Sequence, residues 1–535
     1  QESKILKIWV YFNSKDIKLN NKNKFIDNNN GEELSFNHLK NLIGLSDRAI
    51  ERRSKRTPSS SPSHNNYIFE TDIPVSNINI NDILQCSNQN ITIDVNKKSN
   101  WLNSISIKLT NNYNDIDFSD YLKVINCIES KSYVSKIDLV SKINNNNPII
   151  QIDKTVNEQV NNLNFLLNSK LLKTQPDQFD SQNEDSESKF NSKFYGRSYD
   201  SIKLSNIDKL HQMGLDGSGV KILIIDSGYH KDHPSLQHLK VVKEFGFYNL
   251  SDISADDKNN HGTATLSVIG GYLPGSHIGP AYNASYYLSK MDLTEGLAFF
   301  DSIPEGIEVA EREGIDLITC SMGFGQIDGE YLYYNEDEYF ITKIADTLVS
   351  KGVVFVSSAG NTGETGMYSP AYSEHVITVG SVSLDGSATE WSSNGPNANG
   401  IVKPDIMALG VNISIVWNNT FALAMGTSFS APLVAGGIAL LLQAHPTWTP
   451  QQIHEAILST GSMVNSPNSI HGYGVFDAYK ALNFKPISEE TTLSCSSNKE
   501  CSDENGICCN GKCVCAPAYY GTYCQYKRIE CGDQC

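Results

Sequence analysis

Two stretches of this chain are apolar almost without a break, "VKILIID" (220–226) and "GVVFVSSAG" (352–360). A strand with one face in water alternates polar and apolar residues. A strand covered on both faces does not, and such strands belong to parallel sheets flanked by helices. Helical patterns alternate with these runs: "GIEVAEREG", "YFITKIADTLVSKG" and "TPQQIHEAILSTG". Strand, helix and strand in repetition predict an α/β, doubly wound, mostly parallel sheet. In such a sheet, chemistry gathers beyond the carboxyl ends of the strands.

That domain is expected over residues 196–484 of a 535-residue chain, so other units must flank it. Residues 1–145 read as an α+β region. "KIWVYFNS" alternates like a half-buried strand, "NITIDVNKKSNWLNSISIKL" gives two strands around a turn, and "SDRAIERRSKR" gives a helix capped by its serine. The ending "RSKR" resembles a site for basic-specific processing proteases; the plainer reading is one basic helix face. Residues 146–195, with "KTQPDQFDSQNEDSESKFNSK", hold too little apolar surface to pack and are expected to form an exposed linker open to cleavage.

A net charge of −17 argues against nucleic acid as a partner. The longest apolar run, "GGIALLLQ", is too short for a transmembrane segment. The chain opens at Gln1, which suits a processed N-terminus. Nine of its twelve cysteines crowd into the tail, from Cys495 to Cys535. Such density predicts a disulfide-stapled module over 494–535 and a secreted or secretory-pathway protein; a zinc cluster is disfavoured because the tail has no histidine. Acceptor sequences for N-glycosylation at Asn249, Asn283, Asn412 and Asn418 suit the same setting.

The candidate chemistry lies at the ends of regular elements. Asp226 follows a buried strand in "VKILIIDSGYH", and His261 opens a helix in "NNHGTATLSVIGG". Ser428, in "GTSFSAP", starts a long apolar helix whose free N–H groups can steady a negative oxygen. Asn361, in "VSSAGNTGET", follows another buried strand and carries an amide donor. Each residue alone also suits a structural role, as turn cap, packed histidine or helix cap. Together they supply what a serine nucleophile needs: a base, a carboxylate that orients the base, and a donor for the oxyanion. Pro432 is expected in an early helical turn, where its missing N–H costs little.

The order Asp, His, Ser, carried by "DSG", "HGT", "AGN" and "GTSFSAP", resembles the subtilisin-like serine proteases, or subtilases. "YSPAYSEHVITVGSV", "WSSNGP", "VKPDIMALG" and "GYGVFDAYKAL" strengthen the resemblance. It implies Asp226 as orienting carboxylate, His261 as general acid and base, and Ser428 as nucleophile. Asn361 and the Ser428 N–H would form the oxyanion hole. It also implies that Ser321, Met322 and Gly323 of "CSMGFG" pair with a substrate backbone, and that Ser357, Ser358, Ala359 and Gly360 wall the pocket. The activity implied is a serine endopeptidase acting on proteins or peptides, with no cofactor in the chemistry and structural calcium as an optional feature.

Residues 1–145, with "LSDRAIERR" and "WLNSISIKL", resemble the prodomain of secreted bacterial-type subtilases. The resemblance implies a folding assistant and inhibitor, removed by cutting in the linker; a permanently attached accessory domain is the alternative. "GKCVCAPAYYGTYC" resembles the end of an EGF-like module. That implies pairing of Cys495 with Cys508 or Cys509, Cys501 with Cys513, and Cys515 with Cys524. Cys86 and Cys127 are candidates to pair with each other, and Cys320 is expected to be a buried free thiol. Two rival functions are a non-catalytic binding protein on a decayed protease scaffold and a serine esterase. The four intact residue types disfavour the first, and "CSMGFG" the second. No acidic residue falls in the wall motifs, so a mild preference for apolar residues before the scissile bond is expected.

Overall fold

A computed structural model describes residues 5–19, 25–27, 33–56, 68–112, 118–139, 189–246, 260–290, 303–323 and 340–486. It also describes the backbone of 326–327, 330–331, 506–509, 512–515, 519–520 and 526–527. The chain divides into two compact units. One comprises residues 1–146, 245–253 and 291–315; the other holds the rest.

In the first unit a four-stranded sheet has the order β2-β3-β1-β4, formed by β1 (Ile5–Phe12), β2 (Ile91–Ser99), β3 (Ser104–Asn111) and β4 (Val134–Leu139). All three pairings are antiparallel. Helices α2 (Asn77–Leu84) and α3 (Phe118–Glu129) contribute Ile80, Ile83, Val124 and Ile128 to a core shared with Ile8, Val10, Ile105 and Ile107 of the sheet. Each such side chain contributes about 1.5–3 kcal/mol on burial. A disulfide joins Cys86 to Cys127 beside this core, as the sequence suggested.

Helix α1 (Asp47–Arg56) forms where expected, with the Ser46 hydroxyl accepting from Ala49 N–H at 3.1 Å. Its basic face, however, is buried rather than solvated: Arg52, Arg53 and Arg56 all lie out of water. Burial of guanidinium groups demands counter-charge. The carboxylate of Glu311, on the helix Ile303–Arg312 of the same unit, bonds Arg52 and also meets Arg53 at 2.6 and 3.0 Å. Asp72 takes the other side of Arg53 at 2.7 and 3.1 Å. Arg52 further donates to the Ile315 carbonyl at 2.6 Å. One turn earlier, Glu308 accepts from the Ser99 hydroxyl and from the N–H groups of Asn100 and Trp101. Burial holds its carboxyl above the ordinary carboxylate range.

The second unit is built on a seven-stranded sheet of order β11-β10-β9-β8-β5-β7-β6. Its strands are β5 (Lys221–Asp226), β6 (Lys240–Gly246), β7 (Ser285–Lys290), β8 (Leu317–Cys320), β9 (Val354–Ser358), β10 (Ile377–Val382) and β11 (Ile406–Leu409). The pairings from β7 through β11 are parallel, as the apolar runs require. Helices α4 (His261–Gly270), α5 (Phe340–Ser350), α6 (Thr427–Ala444) and α7 (Pro450–Thr460) accompany it. Helix α6 is apolar on every side and is therefore a core helix, with Thr427 to Leu442 buried throughout. Among the described residues it alone has the length and composition to cross a membrane, and it is 89% buried. Helix α7 starts with a capping box between Thr449 and Gln452. A hairpin of β12 (Ile413–Trp417) and β13 (Thr420–Ala424) precedes α6.

The expected linker of 146–195 needs a shorter limit. Ser192–Tyr195 is helical, and Tyr195 is fully buried with Ile202 and Ile207 in the core of the second unit. Aromatic residues Phe190, Phe194 and Tyr195 supply the packing surface that the polar residues before them lack. Most of the linker, residues 146–188, lies outside the described residues. In the tail, 506–509 pairs antiparallel with 512–515, and 519–520 with 526–527. The side chains of the tail cysteines, and hence their pairing, fall outside the described residues, as does Asn249.

Candidate active site

Asp226 is the last residue of β5 and is fully buried. Its Oδ1 lies 2.7 Å from His261 Nδ1 and also accepts from the Ser227 N–H at 2.7 Å. Its Oδ2 accepts from the Thr265 hydroxyl, one turn along α4, at 3.0 Å. The carboxylate is thus satisfied on both oxygens, which a buried charge requires. Gly262 makes the approach possible. A β-carbon there would lie 2.2 Å from the Gly228 carbonyl oxygen and 3.0 Å from Asp226 Cβ. The imidazole rests near the Phe429 ring, with centroids 6.0 Å apart.

Ser428 is the second residue of α6. Gly426 precedes the helix at φ 147°, a conformation open to glycine. Asn361, just beyond β9, accepts at Oδ1 from both the Thr427 N–H (2.9 Å) and the Thr427 hydroxyl (3.0 Å). These two bonds fix which way round the amide sits, with its nitrogen as the donor. Gly360 N–H in turn donates to the Thr427 hydroxyl at 3.1 Å.

Pro432 proves to be the sixth residue of α6, in an early turn as expected, but past the first-turn positions whose N–H groups have no helical partner. A proline there removes the N–H that would bond the carbonyl four residues back, that of Ser428. The deficit is made good from outside the helix: the Ser321 hydroxyl donates to the Ser428 carbonyl at 2.9 Å.

One cleft is lined by Ser321, Gly323, Ser358, Ala359, Gly360, Asn361, Tyr368 and Ser428. Seven of these eight were singled out from the sequence; Tyr368 was not. Met322 and Ser357 were expected beside them but are buried, Met322 in the interior and Ser357 with its hydroxyl turned to the Ser358 carbonyl. Successive residues of an extended segment face opposite ways, which turns Met322 away from the cleft that its neighbours Ser321 and Gly323 line. Cys320 is a buried free thiol, and burial pushes its pKa up to about 12, so it stays protonated near neutrality.

Sequence reasoning passed over Thr265, Thr427, Phe429 and the hydroxyl of Ser321. Each acts through a contact that no local motif announces. Among the described residues, no group of three or more His, Cys, Asp or Glu side chains is placed to hold a metal ion.

Residues 217–474 match the Subtilase family, and residues 7–151 match the Peptidase S8 propeptide domain of Bacteroidota. Subtilisin E of Bacillus subtilis is 32% identical over 280 residues, covering 51% of this chain and 68% of that protein. Subtilisin of Bacillus pumilus is 31% identical over 280 residues, covering 51% of this chain and 94% of that protein. Fervidolysin of Fervidobacterium pennivorans, a keratinolytic enzyme related to subtilisin, shares the fold with a TM-score of 0.57 at 17% identity. That likeness covers 90% of this chain and 62% of fervidolysin. The chain belongs to the subtilase family of subtilisin-like serine peptidases, and carries its propeptide domain.

Proposed function

We propose that this protein is a secreted serine endopeptidase made as a self-inhibited zymogen. The carrying observation is the buried His261–Asp226 hydrogen bond of 2.7 Å, with Ser428 and Asn361 in one cleft. Ser428 Oγ attacks the scissile carbonyl carbon as His261 Nε2 takes its proton. Asp226, bonded to Nδ1, fixes the tautomer and steadies the imidazolium. The oxyanion is held by the Asn361 amide nitrogen and the Ser428 N–H at the positive end of α6. His261 then gives its proton to the leaving amine as the C–N bond breaks. Water then attacks the acyl carbon as His261 takes its proton, and His261 passes that proton to Ser428 Oγ as the acyl C–O bond breaks.

The substrate backbone pairs with residues 321–323 and passes along the wall at 358–360. Residues 1–145 act as inhibitor and folding assistant until the linker is cut, and a tethered inhibitor has a high effective concentration at its site. The Cys86–Cys127 disulfide and the cysteine-dense tail, read as an EGF-like module, support an oxidising compartment. The chemistry needs no cofactor.

A sulfonyl fluoride should modify Ser428 once the protein has self-processed, located by peptide mass. His261→Ala should abolish both this modification and peptide hydrolysis. Modification elsewhere, with Ser428 untouched, would sink the assignment.

A further inference from the structure

The hairpin β12–β13 touches the helix of His261 at two points and runs on into the helix of Ser428. Its loop is Asn418–Asn419, with φ of 47° and 56°, a left-handed pair that asparagine tolerates. Below the loop, Val416 N–H donates to the Ser267 hydroxyl on α4 at 2.9 Å. At the loop, Asn260 Nδ2 donates to Asn418 Oδ1 at 2.8 Å, and Asn418 N–H donates to Asn260 Oδ1 at 3.3 Å.

Asn260 holds the N-cap position of α4, directly before His261. An asparagine there ordinarily spends its side chain on the free N–H groups of the first turn. Here it makes no such bond, and its own backbone is left-handed at φ 63°. The amide is turned outward to the hairpin instead. The other end of the hairpin, Ala424, lies four residues before Ser428.

We propose that Asn260 and Asn418 form a positioning pair for His261. The inference rests on the catalytic reading above. Asp226 fixes the rotation of the imidazole through Nδ1, but it does not fix the backbone from which the ring springs. The two asparagines fix that backbone, and they do so through a hairpin covalently continuous with the nucleophile. Base and nucleophile thereby share one brace.

The test uses full-chain protein allowed to self-process, with active sites counted by titration and a short peptide as substrate. In protein made in a host that does not N-glycosylate, Asn418→Gly keeps the left-handed backbone and deletes only the amide. It should lower kcat about 3- to 30-fold, the scale of a small misplacement of a reacting group, with KM unchanged within about twofold. Asn418→Asp retains the oxygen that Asn260 Nδ2 bonds and should restore kcat to within about twofold of wild type. Asn260→Gly removes both bonds, and the double variant should lose no more than Asn260→Gly alone.

Unchanged kcat in Asn418→Gly, losses that multiply in the double variant, or no recovery with aspartate would each overturn the proposal. His261→Ala separates this from the parent reading. An active His261→Ala protein refutes the catalytic assignment, whereas an inactive one beside a fully active Asn418→Gly protein refutes the positioning pair alone.

Discussion

The carbonyl oxygen of Ser428 takes its hydrogen bond from the Ser321 hydroxyl, 2.9 Å away and 107 residues earlier in the chain. Pro432 makes this necessary, since it withholds the helical N–H that would otherwise serve. Removing the hydroxyl leaves a buried carbonyl unsatisfied, at a cost of about 1–3 kcal/mol, next to the reacting oxygen. We expect Ser321→Ala to lower kcat about 3- to 30-fold. We further expect Ser321→Ala/Pro432→Ala to regain most of the loss, because the restored N–H at 432 serves the same carbonyl. Steady-state kinetics on the three proteins checks this, and a double variant no better than Ser321→Ala counts against it.

Gly262→Ala should be far more damaging. The new methyl group has no room between the Gly228 carbonyl and Asp226. It must push His261 or Asp226 out of register, and kcat should fall at least about 100-fold. Steady-state kinetics on the self-processed protein checks this, and a kcat within about tenfold of wild type counts against it.

How far was this site readable from sequence? Asp226, His261, Asn361 and Ser428 stand where a strand ends or a helix begins, beside glycine and threonine in short motifs, so local pattern reveals them. The β5 and β9 runs likewise declare a doubly covered sheet. The supports of these residues leave no such trace. Ser321 to Ser428, Thr427 to Asn361 and Asn418 to Asn260 are bonds made by tertiary placement, each spanning many tens of residues. The basic helix was legible as a helix at 46–56. Its burial was not, because the carboxylate that permits it sits at Glu311, 258 residues from Arg53.

Two buried imidazoles should set the acid limit of stability. Burial lowers His277 to about 4, against an opposing bond to the Ser267 carbonyl, and it also lowers His211 to about 4. The unfolded chain takes up these protons near pH 6.5, the folded chain only near pH 4. Their full contribution is therefore present above pH 6.5 and is lost as pH falls toward 4, by up to about 3 kcal/mol for each ring. Denaturant unfolding from pH 8 to 4 should show this loss. His277→Gln should be less stable at pH 8 yet lose less on acidification.

The Cys86–Cys127 bond closes a loop of 41 residues across the core of the first unit. Cys86→Ala/Cys127→Ala should destabilise that unit by about 2–4 kcal/mol. Hydrogen exchange on full-chain protein should show the amides of β1 and α3 exchanging faster, while those of β5 and α6 keep their wild-type rates.

Glu311 belongs by sequence to the span matched by the subtilase family, yet its carboxylate is enclosed by guanidinium groups from the propeptide domain. Any chimaera that grafts a foreign N-terminal region onto this enzyme inherits a stranded anion unless the graft brings matching cations. A neutral replacement on either side should therefore destabilise the uncut chain unless the opposite side changes with it.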